Sequence, residues 1–529
     1  MKRILFLCLL IVCFSSAAVS KDEPTKAMLN VITYAPDGTL LRSGYGFFVS
    51  AEGYAVASYS LFKGAARAVV IDTKGKEMSV SRISGANSTH DLVKFLVSPA
   101  KKVISLSLSK NGTEEGSELK MVYYTTNKKD QPLSSKVVSA TSYDGYKYYD
   151  LNTPNTDKYF GSALLDANDA VVGIVQKNVL DKAETACAID ARFVEDMTIN
   201  SVSALNSDLR NIFIPKAIPA NEQEALAYIY MLGRSDSMAV VTAMADFIAT
   251  YPQNVDVLVE RAAFYASRAD YAAAEDDYRT ALQICEKNNW QAKAAEVHYN
   301  YSKTIFVHSS LPRAKESWSI ERALDEARMA CEADTHALYR VQRADCYLAA
   351  RKYSEAHTDY KSLAEGWMST PEMYFRAARS LELSGGDSLQ VITLLDSMVN
   401  RLPRPLNAAS ARYLLERAYR LMDVGQYRTA VFDMNDYEKA IGPNRLTSQF
   451  YYLRHRAELS ARMYQQALDD IRRAVQLAPH EVAYRLEEAH LLLRVGLYED
   501  AYAAAKAAQD LAPEDPAVLQ LLEMTKREQ

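Results

Sequence analysis

Glycine and cysteine are scarce in this chain, and their distribution excludes several classes of protein. It contains 19 Gly and 16 Pro in 529 residues, and glycine falls below its average share, as it does in helix-rich proteins. Two of its six cysteines lie within the first 20 residues, and the others, at 187, 285, 331 and 346, are scattered without a CxxC spacing. Neither a disulfide framework nor a cysteine zinc site is indicated. We expect buried free thiols, no metal site and no cofactor.

Blocks of like charge are also missing. The apolar run Ile4–Phe14 follows Lys2 and Arg3, is too short to span a bilayer, and is followed by small residues up to Ser20. Residues 1–20 therefore have the pattern of a secretory signal peptide cleaved near Ser20, the alternative being an N-terminal membrane anchor. Its removal leaves 59 basic and 66 acidic residues, a net charge of −7. We expect export to the periplasm or the extracellular space, no transmembrane segment in the mature chain and no nucleic-acid partner.

A helical hairpin recurs along more than half of the sequence. Its clearest copy is Val482–Pro513, in which Gly496 separates two helices and Ala501, Ala505 and Ala508 lie on one helical face. The same residue types recur 34 residues apart at Tyr464 and Tyr498, Ala467 and Ala501, Ala474 and Ala508, and Pro479 and Pro513. This period resembles that of the tetratricopeptide repeat (TPR) family.

The repeat predicts a stacked architecture, because two helices alone cannot bury such a face. Each hairpin relies on the next, which produces a curved solenoid with a concave surface. Helical periodicity begins near Asn221, so we assign residues 221–529 to an all-α TPR solenoid. We expect Tyr498 to fill the wedge between neighbouring helices.

Resemblance to the TPR family implies that particular positions of each first helix face the concave groove. A groove lined by Arg and Tyr suits a protein or peptide partner, since both side chains offer broad contact with little desolvation loss. The alternative is that these side chains are exposed to solvent and bind no partner. The oligomeric state stays open. In the last three units the groove candidates are Arg412, Tyr419, Tyr452, Arg456, His490 and Arg494.

The N-terminal part is predicted to be all-β. Short apolar runs are separated by turn residues such as Pro36-Asp37-Gly38, and their density suggests a sandwich or a barrel. The predicted strands are Leu29–Tyr34, Leu40–Val49, Ala68–Ile71, Leu92–Val97, Met121–Thr125, Val137–Thr141, Tyr146–Leu151 and Val171–Gln176.

Three motifs in this part resemble trypsin-like serine proteases of the HtrA/Deg class. They are Ser43–Val49 followed by Gly53–Ala57, then His90–Leu96, then Phe160–Asp166 followed by Val171–Val175. The resemblance implies a trypsin-like double β-barrel over residues 21–200. Residues 201–220 form the linker to the helices, and no PDZ domain follows.

The same resemblance argues against catalysis. It places the family's histidine on Ser60, its aspartate on Asp91, its nucleophile on Phe160 and the oxyanion-hole glycine on Lys158. Acyl transfer needs a nucleophile, a base and oxyanion donors. A phenyl ring cannot attack a carbonyl, and a hydroxyl cannot replace imidazole as the base. We therefore expect a pseudoprotease in which Asp91 is an ancestral remnant and Phe160 fills the former active site.

One catalytic alternative remains, an active secreted serine endopeptidase with Ser162 as its nucleophile. It needs a histidine, and His90 is the only one between residues 21 and 200. His90 adjoins Asp91, and neighbours on an extended segment point to opposite sides. We interpret His90 as a surface-loop residue. The preferred function is a non-catalytic protein-binding scaffold; a structural part of a cell-envelope assembly would differ from it only in the stability of the partner contact.

Overall fold

Two compact units make up the chain. The computed structural model describes residues 24–98, 102–127, 129–180, 183–233, 237–312 and 315–528, so the predicted signal peptide lies outside the described residues. Packing divides the chain into Met1–Val257 and Leu258–Gln529.

The first unit begins with two closed antiparallel barrels. In the first barrel the strand order is β1-β2-β3-β6-β5-β4, and in the second it is β10-β11-β12-β9-β8-β7. The strands are β1 (Met28–Tyr34), β2 (Leu40–Phe48), β3 (Tyr54–Ala57), β4 (Arg67–Asp72), β5 (Glu77–Asn87), β6 (Leu92–Val97), β7 (Glu118–Val122), β8 (Leu133–Tyr143), β9 (Tyr146–Pro154), β10 (Ala163–Leu165), β11 (Val171–Gln176) and β12 (Thr185–Asp190).

A shared hydrophobic core joins the two barrels. Met28 and Phe47 from the first barrel and Val122 and Ile174 from the second belong to one buried cluster. Buried and half-buried side chains alternate along β1, so one side of that strand faces the core. Position 46 requires glycine where β2 pairs with β3, because a Cβ there would lie 2.2 Å from the carbonyl oxygen of Val56. The predicted double barrel is confirmed.

The connector, residues 201–220, packs along the first barrel. The Ile83 N–H of β5 donates to the Pro215 carbonyl at 2.8 Å, and the Ala217 N–H donates to the Ile83 carbonyl at 2.8 Å. The short helices α1 (Tyr59–Phe62) and α2 (Phe193–Asp196) precede the connector, and α3 (Ser207–Arg210) lies within it. A helical hairpin follows, formed by α4 (Glu222–Gly233) and α5 (Ser237–Thr250).

Hairpin α4–α5 belongs to the first compact unit. Arg82 on β5 donates two hydrogen bonds of 2.7 Å to the carboxylate of Asp246 on α5. The predicted boundary near residue 220 follows the onset of helical periodicity, whereas the first compact unit extends to Val257.

The second unit consists of consecutive helical hairpins and a final helix, which confirms the predicted all-α solenoid class. Its helices are α6 (Val255–Ser267, which contains the division between the units), α7 (Tyr271–Lys287), α8 (Gln291–His308), α9 (Ile320–Ala333), α10 (Ala337–Ala349), α11 (Tyr353–Glu365), α12 (Pro371–Leu383), α13 (Ser388–Val399), α14 (Ala408–Asp423), α15 (Tyr427–Ile441), α16 (Ser448–Ser460), α17 (Tyr464–Leu477), α18 (Val482–Arg494), α19 (Tyr498–Leu511) and α20 (Pro516–Glu528).

Alanines pack the hairpins as their spacing predicts. Ala467 and Ala474 on α17 are fully buried, as are Ala501 and Ala508 at the equivalent positions of α19. The expectation for Tyr498 is wrong. That side chain stands at the first turn of α19 and is 40% exposed.

A recurring ion pair, which is not among the predictions from the sequence, links the two helices of several hairpins. In each case an arginine of the first helix holds an aspartate 16 residues later through two hydrogen bonds of 2.6–2.8 Å. We call this set the Arg–Asp ladder. Its members are Arg261 with Asp277, Arg343 with Asp359, Arg417 with Asp433, and Arg454 with Asp470.

Candidate functional site

An open cleft of about 780 Å³ lies where the two barrels meet. Ser60 and Asp91 line it from the first barrel, and Lys158 and Phe160 line it from the second. The three positions equated with the catalytic triad thus lie around one cleft. None of the described residues that line it is a histidine.

Ser60 binds the carboxylate of Asp91 directly. The Ser60 N–H donates to Oδ1 at 2.7 Å, and the Ser60 hydroxyl lies 3.3 Å from Oδ2. Burial raises the pKa of Asp91, while these hydrogen bonds from Ser60 oppose that rise. Asp91 also adopts a positive φ of 45°, a conformation that Asp tolerates better than most residues. The carboxylate is therefore held in place without an imidazole.

Phe160 and Lys158 occupy the positions equated with the nucleophile and the oxyanion hole. Phe160 is half-buried and packs against the core of the second barrel. Lys158 is exposed, with its ammonium 5.1 Å from the ring centroid of Tyr123 and 5.4 Å from that of Tyr159. A half-buried phenyl ring and an ammonium group supply no nucleophile for acyl transfer.

Gly161 shapes this wall of the cleft. Its φ is +83°, its N–H donates to the Val175 carbonyl at 2.8 Å, and a Cβ at this position would lie 2.1 Å from the carbonyl oxygen of Tyr45. Only glycine fits such an approach of two backbones. Gly161 thereby fixes where Phe160 enters the cleft.

Ser162, the alternative nucleophile, is inaccessible in this structure. It is 0% exposed, and its hydroxyl has no hydrogen-bond partner among the described residues. It does not line the cleft. A nucleophile must reach its substrate and a base, and this placement meets neither requirement.

His90 is buried, so its interpretation as a surface-loop residue is wrong. It is 3% exposed, its Nδ1 contacts the Tyr148 hydroxyl, and its ring lies 4.2 Å from that of Phe193 and 6.2 Å from that of Tyr146. These aromatic residues follow it by more than 50 positions, so no local pattern could indicate the contact. His90 joins the β5–β6 turn to the second barrel.

Acid should destabilise the barrels through His90. Burial lowers the pKa of His90 below its usual value of 6.5, so the unfolded chain binds the proton more readily than the folded one. The stabilisation of the folded state by neutral His90 is complete above pH 6.5 and is lost as the pH falls below it. We expect the free energy of unfolding to drop between about pH 7.5 and about pH 5 more steeply in the natural chain than in His90→Phe. The exposed His490→Gln serves as the control; equal slopes in all three proteins would contradict this assignment.

The predicted groove residues lie on the first helices of the last three hairpins. Arg412 is exposed, donates to the Tyr413 hydroxyl at 2.9 Å and lies 3.5 Å from the carboxylate of Glu372. Tyr419 is half-buried, and burial raises its pKa.

The other candidates continue this pattern of half-buried rings and exposed polar side chains. Tyr452 is half-buried, with its ring 5.0 Å from that of Tyr484. Arg456 and His490 are exposed. Arg494 is exposed too, with its guanidinium 5.2 Å from the ring centroid of Tyr464.

Each of the three first helices carries a stripe of three residues that includes at least one groove candidate and apolar neighbours. The members of a stripe stand at i, i+4 and i+7 and therefore share one helical face. The flanking apolar side chains are half-buried and pack on the core cluster of this region. The three stripes are Leu415, Tyr419 and Met422 on α14; Tyr452, Arg456 and Leu459 on α16; and Leu486, His490 and Leu493 on α18.

The described part of the chain presents neither a metal-binding cluster nor a membrane-spanning helix. No group of three or more His, Cys, Asp or Glu side chains is arranged there to hold a metal ion. None of the helices described is long and apolar enough to cross a membrane.

Comparison with known proteins gives matches to solved structures only, each covering a third of this chain. No protein-family model matches the chain, and no curated protein is significantly similar to it. An inactive mutant form of Rv3671c from M. tuberculosis H37Rv is 16% identical, with 33% of this chain and 85% of that chain covered and a TM-score of 0.27. The apo MamO protease domain from Magnetospirillum magneticum is 13% identical, with 33% and 96% covered and a TM-score of 0.27.

Proposed function

We propose that this protein is an exported, non-catalytic binding scaffold. Its TPR-like helical face recognises a protein or peptide partner, and its protease-like double barrel serves as a second docking module. The observation that carries the proposal is the cleft. Ser60 engages Asp91 where a base would stand, and Phe160 occupies the position that the family resemblance gives to the nucleophile.

The alternative endopeptidase receives no support from the geometry. Its nucleophile, Ser162, is fully buried, and its required histidine, His90, is packed among aromatic rings outside the cleft. Two residues that must exchange a proton need hydrogen-bond contact, and His90 Nδ1 instead contacts the Tyr148 hydroxyl.

The stripes on α14, α16 and α18 support a proposal for the chemistry of the partner. Each places a polar or aromatic side chain between two half-buried side chains. Two of these central residues, Arg456 and His490, are exposed donors, and Arg494 adds another. Apolar contact supplies affinity, and cations select carboxylates. We propose that the partner segment combines apolar residues with Asp or Glu.

Charge reversal on this face should weaken recognition. In a peptide-display selection on residues 21–529, we expect enriched sequences to combine apolar and acidic residues. The double variant Arg456→Glu, Arg494→Glu should bind them at least about tenfold more weakly, because like charges then face each other.

The matched control reverses two exposed lysines on second helices, Lys439→Glu and Lys506→Glu, and should retain binding. Enrichment of no sequence class, or equal loss of binding in both double variants, would contradict the assignment of this face.

A further inference from the structure

A buried cluster of carboxyl groups lies between helices α15, α16 and α17. Arg454 on α16 donates to the Asp470 carboxylate at 2.6 and 2.8 Å and to Glu438 on α15 at 2.6 Å. Asn435 accepts a further hydrogen bond at 3.0 Å. Glu458, one turn beyond Arg454, lies 3.9 Å from the same guanidinium.

The charges of this cluster do not balance. Arg454 supplies one positive charge against the three carboxyl groups of Glu438, Glu458 and Asp470. The side chains of Arg454, Glu458 and Asp470 are 7%, 3% and 9% exposed, respectively. Uncompensated charge away from water is costly, and a buried carboxyl group avoids that cost by holding its proton.

Glu458 is the group placed to hold that proton. Its Oε2 is buried and has no hydrogen-bond partner among the described residues, whereas Asp470 and Glu438 both accept from Arg454. Burial raises the pKa of Glu458, and the neighbouring Asp470 carboxylate raises it further. A protonated Glu458 can donate to Asp470 and share that carboxylate's charge.

Charged groups on the surrounding helices leave the imbalance in place. Asp469 on α17 adds another negative charge that acts on Glu458. On α18, Glu488 is paired with Arg485 at 3.2 Å and with Arg472 of α17 at 3.6 Å. His455 on α16 donates from Nδ1 to the Ala467 carbonyl at 2.8 Å.

We propose that Glu458 is a proton-dependent latch, protonated at neutral pH, whose ionisation at alkaline pH loosens the packing of α16 against α15 and α17. The latch closes when the proton lies between Glu458 and Asp470. Its loss leaves two negative carboxylates in contact within the buried cluster, and the neighbouring helices separate locally to admit water.

Amide hydrogen exchange measures this local separation of the helices. In the full chain, amide exchange in α15–α17, corrected for the intrinsic rate, should accelerate between about pH 5 and about pH 8, by up to about tenfold per pH unit, the limit for one titrating proton, and should level off above the folded-state pKa of about 8. Glu458→Gln keeps the shape and an N–H donor but cannot ionise. Its corrected exchange should be independent of pH over this range.

Thermal unfolding gives an independent readout, with exposed Glu499→Gln as the control. The raised pKa means that the stabilisation is present at low pH and is lost as the pH rises through the folded-state value. The Tm of the natural chain and of Glu499→Gln should therefore fall toward alkaline pH more than that of Glu458→Gln. Identical pH dependence of exchange and Tm in all three proteins would overturn the proposal.

Discussion

Replacing Arg454 with alanine should lower the free energy of unfolding of the helical unit by about 3–5 kcal/mol. The substitution removes the partner of Asp470 and Glu438 and leaves their carboxylates without a cation. A buried charge stripped of its partner pays its full desolvation cost. Chemical denaturation followed by far-UV circular dichroism measures the loss.

Lys439→Ala provides the matched control on the adjacent helix. Lys439 pairs with Asp436 at 3.1 Å, but both side chains are largely exposed, so the expected loss is at most about 1 kcal/mol. Adding Asp470→Ala to Arg454→Ala should cost less than the two single losses combined, because the stranded charge is then removed. Additive losses would show that the pair is not coupled and would contradict this account of the Arg–Asp ladder.

Gly161→Ala should destabilise the double barrel by at least about 3 kcal/mol. Its Cβ would lie 2.1 Å from the Tyr45 carbonyl oxygen, so the chain around Phe160 must move away from the first barrel. The positive φ adds its own strain for any residue with a side chain. Thermal or chemical unfolding of the natural chain and the variant measures the effect.

Gly145→Ala separates the two contributions. Gly145 has nearly the same φ, +82°, but no atom lies within 4 Å of its added Cβ, so only the backbone strain of about 1–2 kcal/mol applies. Equal losses in the two variants would mean that the close approach of Gly161 to Tyr45 does not constrain the cleft.

Local sequence patterns predict much of the barrel region and of its cleft. Alternating apolar residues indicate strands such as Leu92–Val97, which the structure reproduces with the same limits. The family resemblance carried by three motifs in order predicts the double barrel, and counting from them brings Ser60, Asp91 and Phe160 to one cleft.

Contacts between distant segments account for what the patterns do not predict. His90 is buried by rings that arrive on the β8–β9 hairpin and at Phe193, and strand alternation carries no information on that packing. The connector pairs with β5 at Ile83 through backbone groups, which any sequence can supply. The Arg–Asp ladder does leave a signal, an arginine and an aspartate 16 residues apart, but it emerges only when hairpins are aligned by their structure.

Reaction of residues 21–529 with a fluorophosphonate serine probe tests the central claim, that the protease-like barrel has no catalytic centre. Ser60→Ala and Ser162→Ala variants and an active trypsin-like protease run beside it. The account predicts labelling of the active protease alone. Labelling of the natural chain that disappears in either variant would contradict it and identify the serine responsible.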